Sequence, residues 1–219
     1  MPRLSIIIFM LLAFVSPDLC SQEFPRKLEW DLGIPPVPDA HGFAGAFTGI
    51  SNGRLLVAGG ANFPDKPPWE DGKKVWHDKI FALSLSEDDG GEPGWVNAGT
   101  LPGPLAYGAS VSFADRAIFI GGDDGVDASA RVFAYSWGDG LEGPVDYPPL
   151  PSPCTNLCAA VVRLSSTEAY IFVAGGLSSV ESNSVSALKN FWSLSIGPDG
   201  APVEGAKWGE LGSWPGSER

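Results

Sequence analysis

The chain has 219 residues, a formal net charge of −12, 28 Gly, 20 Pro, 8 Trp and 12 Phe. That much apolar and aromatic material builds a sizeable core and excludes a disordered chain, while the Gly and Pro content punctuates it with turns. The acidic balance excludes a nucleic-acid-binding protein, which carries basic patches, and suits a solvated surface outside the cytoplasm.

Residues 1–21 are expected to form a signal peptide. Arg3 supplies the positive charge, Leu4–Val15 the apolar run, and Ser16–Ser21 a cleavage region before Gln22. The run is too short for a spanning helix, which needs about 20 residues, and Pro17-Asp18-Leu19 before Cys20 is a poor lipidation signal. The protein is therefore expected to be periplasmic or secreted, with no membrane attachment after removal of the peptide. Residues 22–219 remain as the folded part.

A short strand is expected at Leu28–Leu32, centred on Trp30, followed by a proline-rich link, Ile34–Pro38. Gly42–Ile50 then runs into Ser51-Asn52-Gly53. Asn-Gly between two apolar runs is a strong hairpin signal, and it joins this strand to Arg54–Gly59. A long loop, Ala61–Asp78, precedes a third strand, Lys79–Ser84, and a fourth, Trp95–Ala98. The order then repeats. After Leu101-Pro102-Gly103-Pro104 come strands at Tyr107–Phe113, Ala117–Gly121, Arg131–Ser136 and, weakly, Val145–Tyr147. After Leu150-Pro151-Ser152-Pro153 come strands near Leu157–Leu164, Ala169–Ala174, Phe191–Ile196 and Lys207–Leu211. Trp214-Pro215-Gly216 opens a fourth unit.

The repeat has a marker. Arg54–Gly60 (R-L-L-V-A-G-G), Ala117–Gly122 (A-I-F-I-G-G) and Ala169–Gly176 (A-Y-I-F-V-A-G-G) are apolar runs that end in a glycine pair. Such runs suit strands buried on both faces. Paired glycines suit positive φ or crowded backbones. The first glycines stand at 59, 121 and 175, steps of 62 and 54 residues. Four short antiparallel strands per repeat of this length form the propeller pattern, and the period with its glycine pair is that of kelch blades. Trp30-Asp31 is the sole Trp-Asp pair and no Gly-His precedes it, so a WD-type propeller is disfavoured.

The fold class is thus all-β, a kelch-type β-propeller with about three blades, at 39–98, 101–147 and 150–211, of about six in the closed ring. The lone Trp30 strand and the unit opening at Trp214 read as two ends of one missing segment, so the chain is expected to be the N-terminal half of a longer propeller. Open blade edges then favour self-association. A half-propeller that pairs with a second copy is the rival arrangement.

Cys154 and Cys158 remain after export. Four residues apart on a strand, they lie on one face about 13 Å apart, too far for a disulfide. Two buried thiols are expected, with a looped segment near Pro153 as the alternative.

From His41 to Pro64 the chain reads H-G-F-A-G-A-F-T-G-I-S-N-G-R-L-L-V-A-G-G-A-N-F-P, followed by W-E-D-G-K-K-V-W-H-D at Trp69–Asp78. This stretch resembles the N-acetylneuraminate epimerase family, exported kelch propellers that act as sialic acid mutarotases. The blade order resembles the cyclically permuted branch, in which a blade that sits late in the standard enzyme comes first. A-Y-G-A-S-V and I-F-I-G-G in the second unit continue the likeness, which is specific over about Pro38–Tyr135; the third unit matches only as a generic kelch blade. The resemblance implies an acid/base glutamate with a nearby arginine in the blade before the G-F-A-G blade. Permuted order places that blade last, beyond these residues, so neither is assigned to a position here.

In an up-and-down blade, the loops between strands two and three share a face with the links between blades. That face gathers Asn62–His77, Asp123–Ser129, Gly176–Leu188 and the links at Asp39–Gly42, Leu105–Tyr107 and Cys154–Leu157, and ligand sites favour such loops on a rigid scaffold. The Ala61–Asp78 loop is the most loaded. An anionic sugar held by a protein of charge −12 needs local positive charge, which Lys73 and Lys74 supply as point charges. Trp69 or Trp76 suits stacking on the sugar, and Asn62 suits its hydroxyls. For each of these residues a solvated loop with tucked tryptophans is the competing reading. Glu70 and His77 are the acid/base candidates within these residues, each with a structural or solvated role as the alternative. No cofactor and no metal is expected. Asp123, Asp124 and Asp127 lack the spacing of a standard calcium loop, and two histidines, His41 and His77, do not make a copper-oxidase pattern. The expected partner is a small anionic sugar. The expected function is interconversion of anomers of N-acetylneuraminate or a related sugar, the alternative being a non-catalytic kelch module that binds glycan or protein.

Overall fold

The computed structural model describes residues 33–85, 94–178 and 186–213. The chain divides into Met1–Gly33, of which Gly33 alone is described, and Ile34–Arg219, which carries everything below. The expected signal peptide, the Leu28–Leu32 strand with Trp30 and the unit opening at Trp214 lie outside the described residues.

Three four-stranded antiparallel sheets follow one another. In the first, β1 (Phe47–Ser51) and β2 (Arg54–Ala58) form a hairpin whose turn residues, Asn52 and Gly53, have φ of 44° and 71°. A two-residue loop with positive φ at both positions is the turn that matches strand twist. The long loop carries its own ladder, β3 (Ala61–Asn62) with β4 (Val75–Trp76), and a single 3₁₀ turn at Pro68–Glu70. β5 (Lys79–Ser84) and β6 (Trp95–Thr100) complete the sheet in the order β1-β2-β5-β6. The second sheet is β7 (Ala109–Phe113), β8 (Arg116–Ile120), β9 (Val132–Trp137) and β10 (Leu141–Asp146). The third is β11 (Cys158–Arg163), β12 (Ala169–Ala174), β13 (Phe191–Ile196) and β14 (Gly209–Glu210). Meandering four-stranded sheets that each carry the glycine pair at the end of the second strand are blades of a kelch-type β-propeller. Among the described residues no helix is long and apolar enough to cross a membrane.

The sheets pack through two apolar layers. Leu56, Ala58, Ile80 and Ala82 of the first sheet meet Ala117, Phe119, Phe133 and Tyr135 of the second. Ile118, Ile120, Val132 and Ala134 on the second sheet's other face meet Ile171, Val173, Trp192 and Leu194 of the third. β8 is therefore buried on both faces, with Ala117 through Ile120 all inaccessible. β12 departs from that expectation: it alternates buried and half-buried residues, because only one of its faces meets a neighbouring sheet among the described residues.

The glycine pairs hold the blades in register. Gly59 and Gly60 have φ of 62° and 91°, and Gly121 and Gly122 have 62° and 99°. The first of each pair donates its N–H to the strand-three edge, Gly59 to Lys79 O and Gly121 to Arg131 O. The second reaches the next blade's link, Gly60 to Leu105 O and Gly122 to Cys154 O, each at 2.9 Å. Edge strands are tied across as well. The outward N–H groups of Thr48 and Ile50 on β1 donate to Ser110 Oγ and Ser112 Oγ on β7, at 3.1 and 2.8 Å.

Several expectations need correction. The first strand begins at Phe47 rather than Gly42, because Gly42 and Gly45 take φ of 66° and 63° and bend the chain, leaving one bridge from Ala44 to Ala61. The weak strand at Val145–Tyr147 is Leu141–Asp146, with a register shift between Glu142 and Val145 where Gly143-Pro144 interrupts the ladder. The two thiols are not both buried. Cys154 lies in the link before the strand and is buried, whereas Cys158 opens β11 and is exposed.

Candidate functional site

The blade links and the loops between strands two and three meet through bridges at Ala44–Ala61, Ala106–Asp123 and Thr155–Leu177. On this face the first blade's link and long loop and the second blade's link enclose a cavity of about 410 Å³. It is lined by His41, Gly42, Ala44, Ala61, Asn62, Phe63, Asp65, Lys66, Pro67, Pro68, Lys74 and Tyr107. The loop curls back to form the wall. Glu70 N and Gly72 N both donate to Pro67 O, at 3.0 and 3.1 Å, and Asp71 turns the chain with φ of 60°. A side chain at Gly72 would collide with Lys66 O, so the return is possible only with glycine there.

A polar clamp sets the cavity floor. Asn62 is only 7% exposed. Its Nδ2 donates to Asp39 Oδ1 at 3.1 Å and to Gly42 O at 2.9 Å. That leaves Asn62 Oδ1 as the acceptor toward His77 Nε2 at 2.8 Å, so this His77 nitrogen carries the hydrogen. Asp39 Oδ1 also accepts the His41 N–H at 2.9 Å. The ring of Phe43 stands edge-on to His77, with centroids 5.2 Å apart.

Of the two lysines that line the cavity, Lys74 is held by aromatic rings. Its ammonium lies 5.0 Å from the Trp76 ring centroid and 4.2 Å from that of Tyr107. Trp76 is fixed from behind: its Nε1 donates to Asp123 Oδ1 at 3.0 Å, and its ring lies against Gly125, where any Cβ would clash. Asp123 is 3% exposed and also accepts from Gly125 N and from Thr155 Oγ1. One buried carboxylate thus joins a side chain from each of the other two blades to its own. Asp124 beside it accepts the N–H groups of Asp127 and Val126, which hold its carboxyl below the usual range.

The residues expected from the sequence fall into three groups. Asn62 and Lys74 line the cavity. Trp76 and His77 do not line it but support those that do. Trp69, 82% exposed, and the exposed Glu70 and Lys73 stand outside the lining. His41, Lys66 and Tyr107 are lining residues that the sequence did not single out as ligands. The signal for His41 and Tyr107 is their place in the two links expected on this face. Among the described residues no cluster of three His, Cys, Asp or Glu side chains is placed to hold a metal ion.

The sequence profile of the family described as N-acetylneuraminate epimerase matches residues 24–142. A protein named N-acetylneuraminate epimerase from Yersinia pestis (strain Pestoides F) is 37% identical over 130 residues, 52% of this chain and 31% of its own. Its namesake from Haemophilus influenzae (strain PittEE) is 37% identical over 126 residues, 51% of this chain and 32% of its own. The one from Salmonella typhi is 38% identical over 112 residues, covering 45% and 27%. A solved structure titled "Structure of YjhT" aligns over 79% of this chain and 46% of its own, at 14% identity and a TM-score of 0.49. The chain spans about a third of the length of the curated relatives it matches. The matched profile covers more than half of the chain, including the first blade, most of the second and every residue of the cavity, and the chain belongs to the N-acetylneuraminate epimerase family.

Proposed function

We propose that the protein carrying this chain interconverts the anomers of N-acetylneuraminate or a related anionic sugar. The observation that supports this most is the cavity of about 410 Å³ in the family-matched segment, walled by Lys66 and Lys74 in a chain of net charge −12. Two lysines against one aspartate, Asp65, make this concave site locally positive in an acidic protein, which favours a carboxylate there. Phe63 offers apolar surface to the sugar. In this reading Asn62 and His77 hold the loop in shape and do not touch the sugar.

Anomer exchange opens the ring. A base takes the anomeric hydroxyl proton as the carbon–oxygen ring bond breaks, and an acid protonates the departing ring oxygen. Closure on the other carbonyl face reverses both transfers, so no net proton, electron or atom is consumed. In this reading the acid/base glutamate and its arginine belong to a further blade of a permuted ring. Freshly released α-anomer followed by proton NMR with full-length protein tests the activity. Accelerated approach to equilibrium is expected.

One observation favours a second reading, a kelch module that binds glycan without chemistry: Glu70 and His77 do not line the cavity. Binding of the sugar with no acceleration in the same time course selects that reading.

We also propose that residues 1–21 direct export to the periplasm or medium and are removed. Mass spectrometry of protein from its native host checks this, and an intact Met1 in the soluble protein would overturn it.

A further inference from the structure

We propose that Tyr107, together with Trp76, is a positioning residue: the two rings hold the Lys74 ammonium at the cavity wall as the anchor for a sugar carboxylate. This rests on the anionic-sugar reading of the same cavity. A lysine head on a flexible stem is a diffuse point charge in water, and fixing it gives an anion a defined partner. Two aromatic faces at 5.0 and 4.2 Å do so by attracting the cation to their electron-rich surfaces.

The backbone at Tyr107 shows that this seat is imposed. Gly45, Tyr107 and Asn156 occupy equivalent points in the three links, with φ of 63°, 58° and 53°. Left-handed backbone is free for glycine and tolerable for asparagine, but unfavourable for a bulky aromatic residue. The first and third blades use the tolerant types; the second places a tyrosine there. Strain of this kind persists where the surroundings hold it and clusters at functional sites. Here Tyr107 N donates to Gly45 O at 2.8 Å, and Tyr107 O accepts the Asn156 N–H at 2.7 Å, so both sides of the residue are tied to neighbouring links. Its ring rests on Gly45 so closely that any Cβ at that position would overlap it. Trp76, the second ring, is pinned by buried Asp123. Both platforms are rigid before a ligand arrives, which reduces the ordering cost of binding.

The test uses the full chain with Tyr107→Leu, Tyr107→Phe and Lys74→Met, and two probes, N-acetylneuraminate and its neutral methyl ester. In the ligand-free protein the Lys74 ε-methylene protons are expected upfield of ordinary lysine positions because of the rings. That displacement shrinks in Y107L and is kept in Y107F. Wild type prefers the acid over the ester. Y107L lowers affinity for the acid about fivefold, the scale of one lost cation–π contact, while its affinity for the ester is unchanged, and K74M abolishes the preference. Y107F behaves as wild type. Equal losses for acid and ester in Y107L would show a purely structural role and overturn the proposal. So would an unshifted Lys74 in wild type, or an acid preference undiminished in Y107L. Wild type binding acid and ester alike would instead overturn the anionic-sugar reading, and the anchor with it, even with the upfield Lys74 signal present.

Discussion

At the residue scale, burial decides what the polar groups of this chain do. Cys154 is enclosed in the apolar layer between the second and third sheets, and burial pushes its thiol up to about 11. Cys158, four residues on, is exposed. Of these two, only Cys158 is expected to react with a thiol reagent in the native protein at neutral pH, since the thiolate is the nucleophile. Peptide mapping after brief alkylation checks this; modification of Cys154 at a comparable rate would contradict the enclosure. Tyr147 is buried, donates its hydroxyl to Gly200 O, and has its pKa raised from 10.0 to about 12 by burial. Tyr147→Phe leaves that carbonyl unpaired and is expected to lower stability by about 1–2 kcal/mol near neutral pH. A raised folded pKa means that the contribution is complete below the ordinary value of 10.0 and is lost as pH rises through about 12. Urea denaturation of both proteins should show a constant gap at pH 7–9 that narrows above pH 10.

At the scale of the element, one motif carries different costs in different blades. Gly121→Ala forces a left-handed alanine and drives its Cβ into Cys154 O. Gly175→Ala imposes the same backbone demand, φ of 64°, but its Cβ meets nothing closer than Leu188 O at 3.9 Å. The first is expected to cost about 3 kcal/mol or more, the second about 1 kcal/mol, the left-handed penalty alone. Thermal denaturation of the two variants measures the difference, and equal losses would remove the close approach between blades as its cause.

At the scale of the whole molecule, the blades are joined by buried polar groups as well as apolar layers. Asp123→Leu removes the acceptor of Trp76 Nε1, Gly125 N and Thr155 Oγ1 at once. A loss of about 3 kcal/mol is expected, against about 1 kcal/mol for Asp123→Asn, which keeps an acceptor oxygen. Chemical denaturation of the two variants checks the ranking. The third sheet presents half-buried Tyr170, Phe172 and Phe191 on the face away from the second sheet, with centroids 6.2 and 6.0 Å apart. The corresponding face of the second sheet, Ile118, Ile120, Val132 and Ala134, is covered by a neighbouring blade. Continuity with that interface leads us to expect concentration-dependent association of this chain through the aromatic face. Sedimentation velocity is the measurement. Phe172→Ser with Phe191→Ser should shift the distribution toward monomer, and an unchanged distribution would rule out this face.

The parts of this protein legible in its residues are those set by local chemistry. Asn52-Gly53 encodes its hairpin because both residues tolerate positive φ. The glycine pairs mark the second strand of each blade because positive φ favours glycine there, and in the first two blades the close contact with the next link leaves no room for a side chain. Lys79–Ser84, Ala169–Ala174 and Phe191–Ile196 stand where their apolar patterns predict. The late start of the first strand, the length of Leu141–Asp146 and the exposure of Cys158 were not legible, because each depends on bends and neighbours outside a local window. The site divides in the same way. The charged loop after Gly60 could be found by composition, but composition does not tell Lys73 from Lys74, or Trp69 from Trp76. That choice is made by residues far along the chain: Tyr107 and Asp123, in the second blade, hold Lys74 and Trp76 in place, while Lys73 and Trp69 are exposed. Sequence specified the blade as a unit, since its turns and strands are local. Only the packing of one blade's link against another's loop decided which side chains face the cavity.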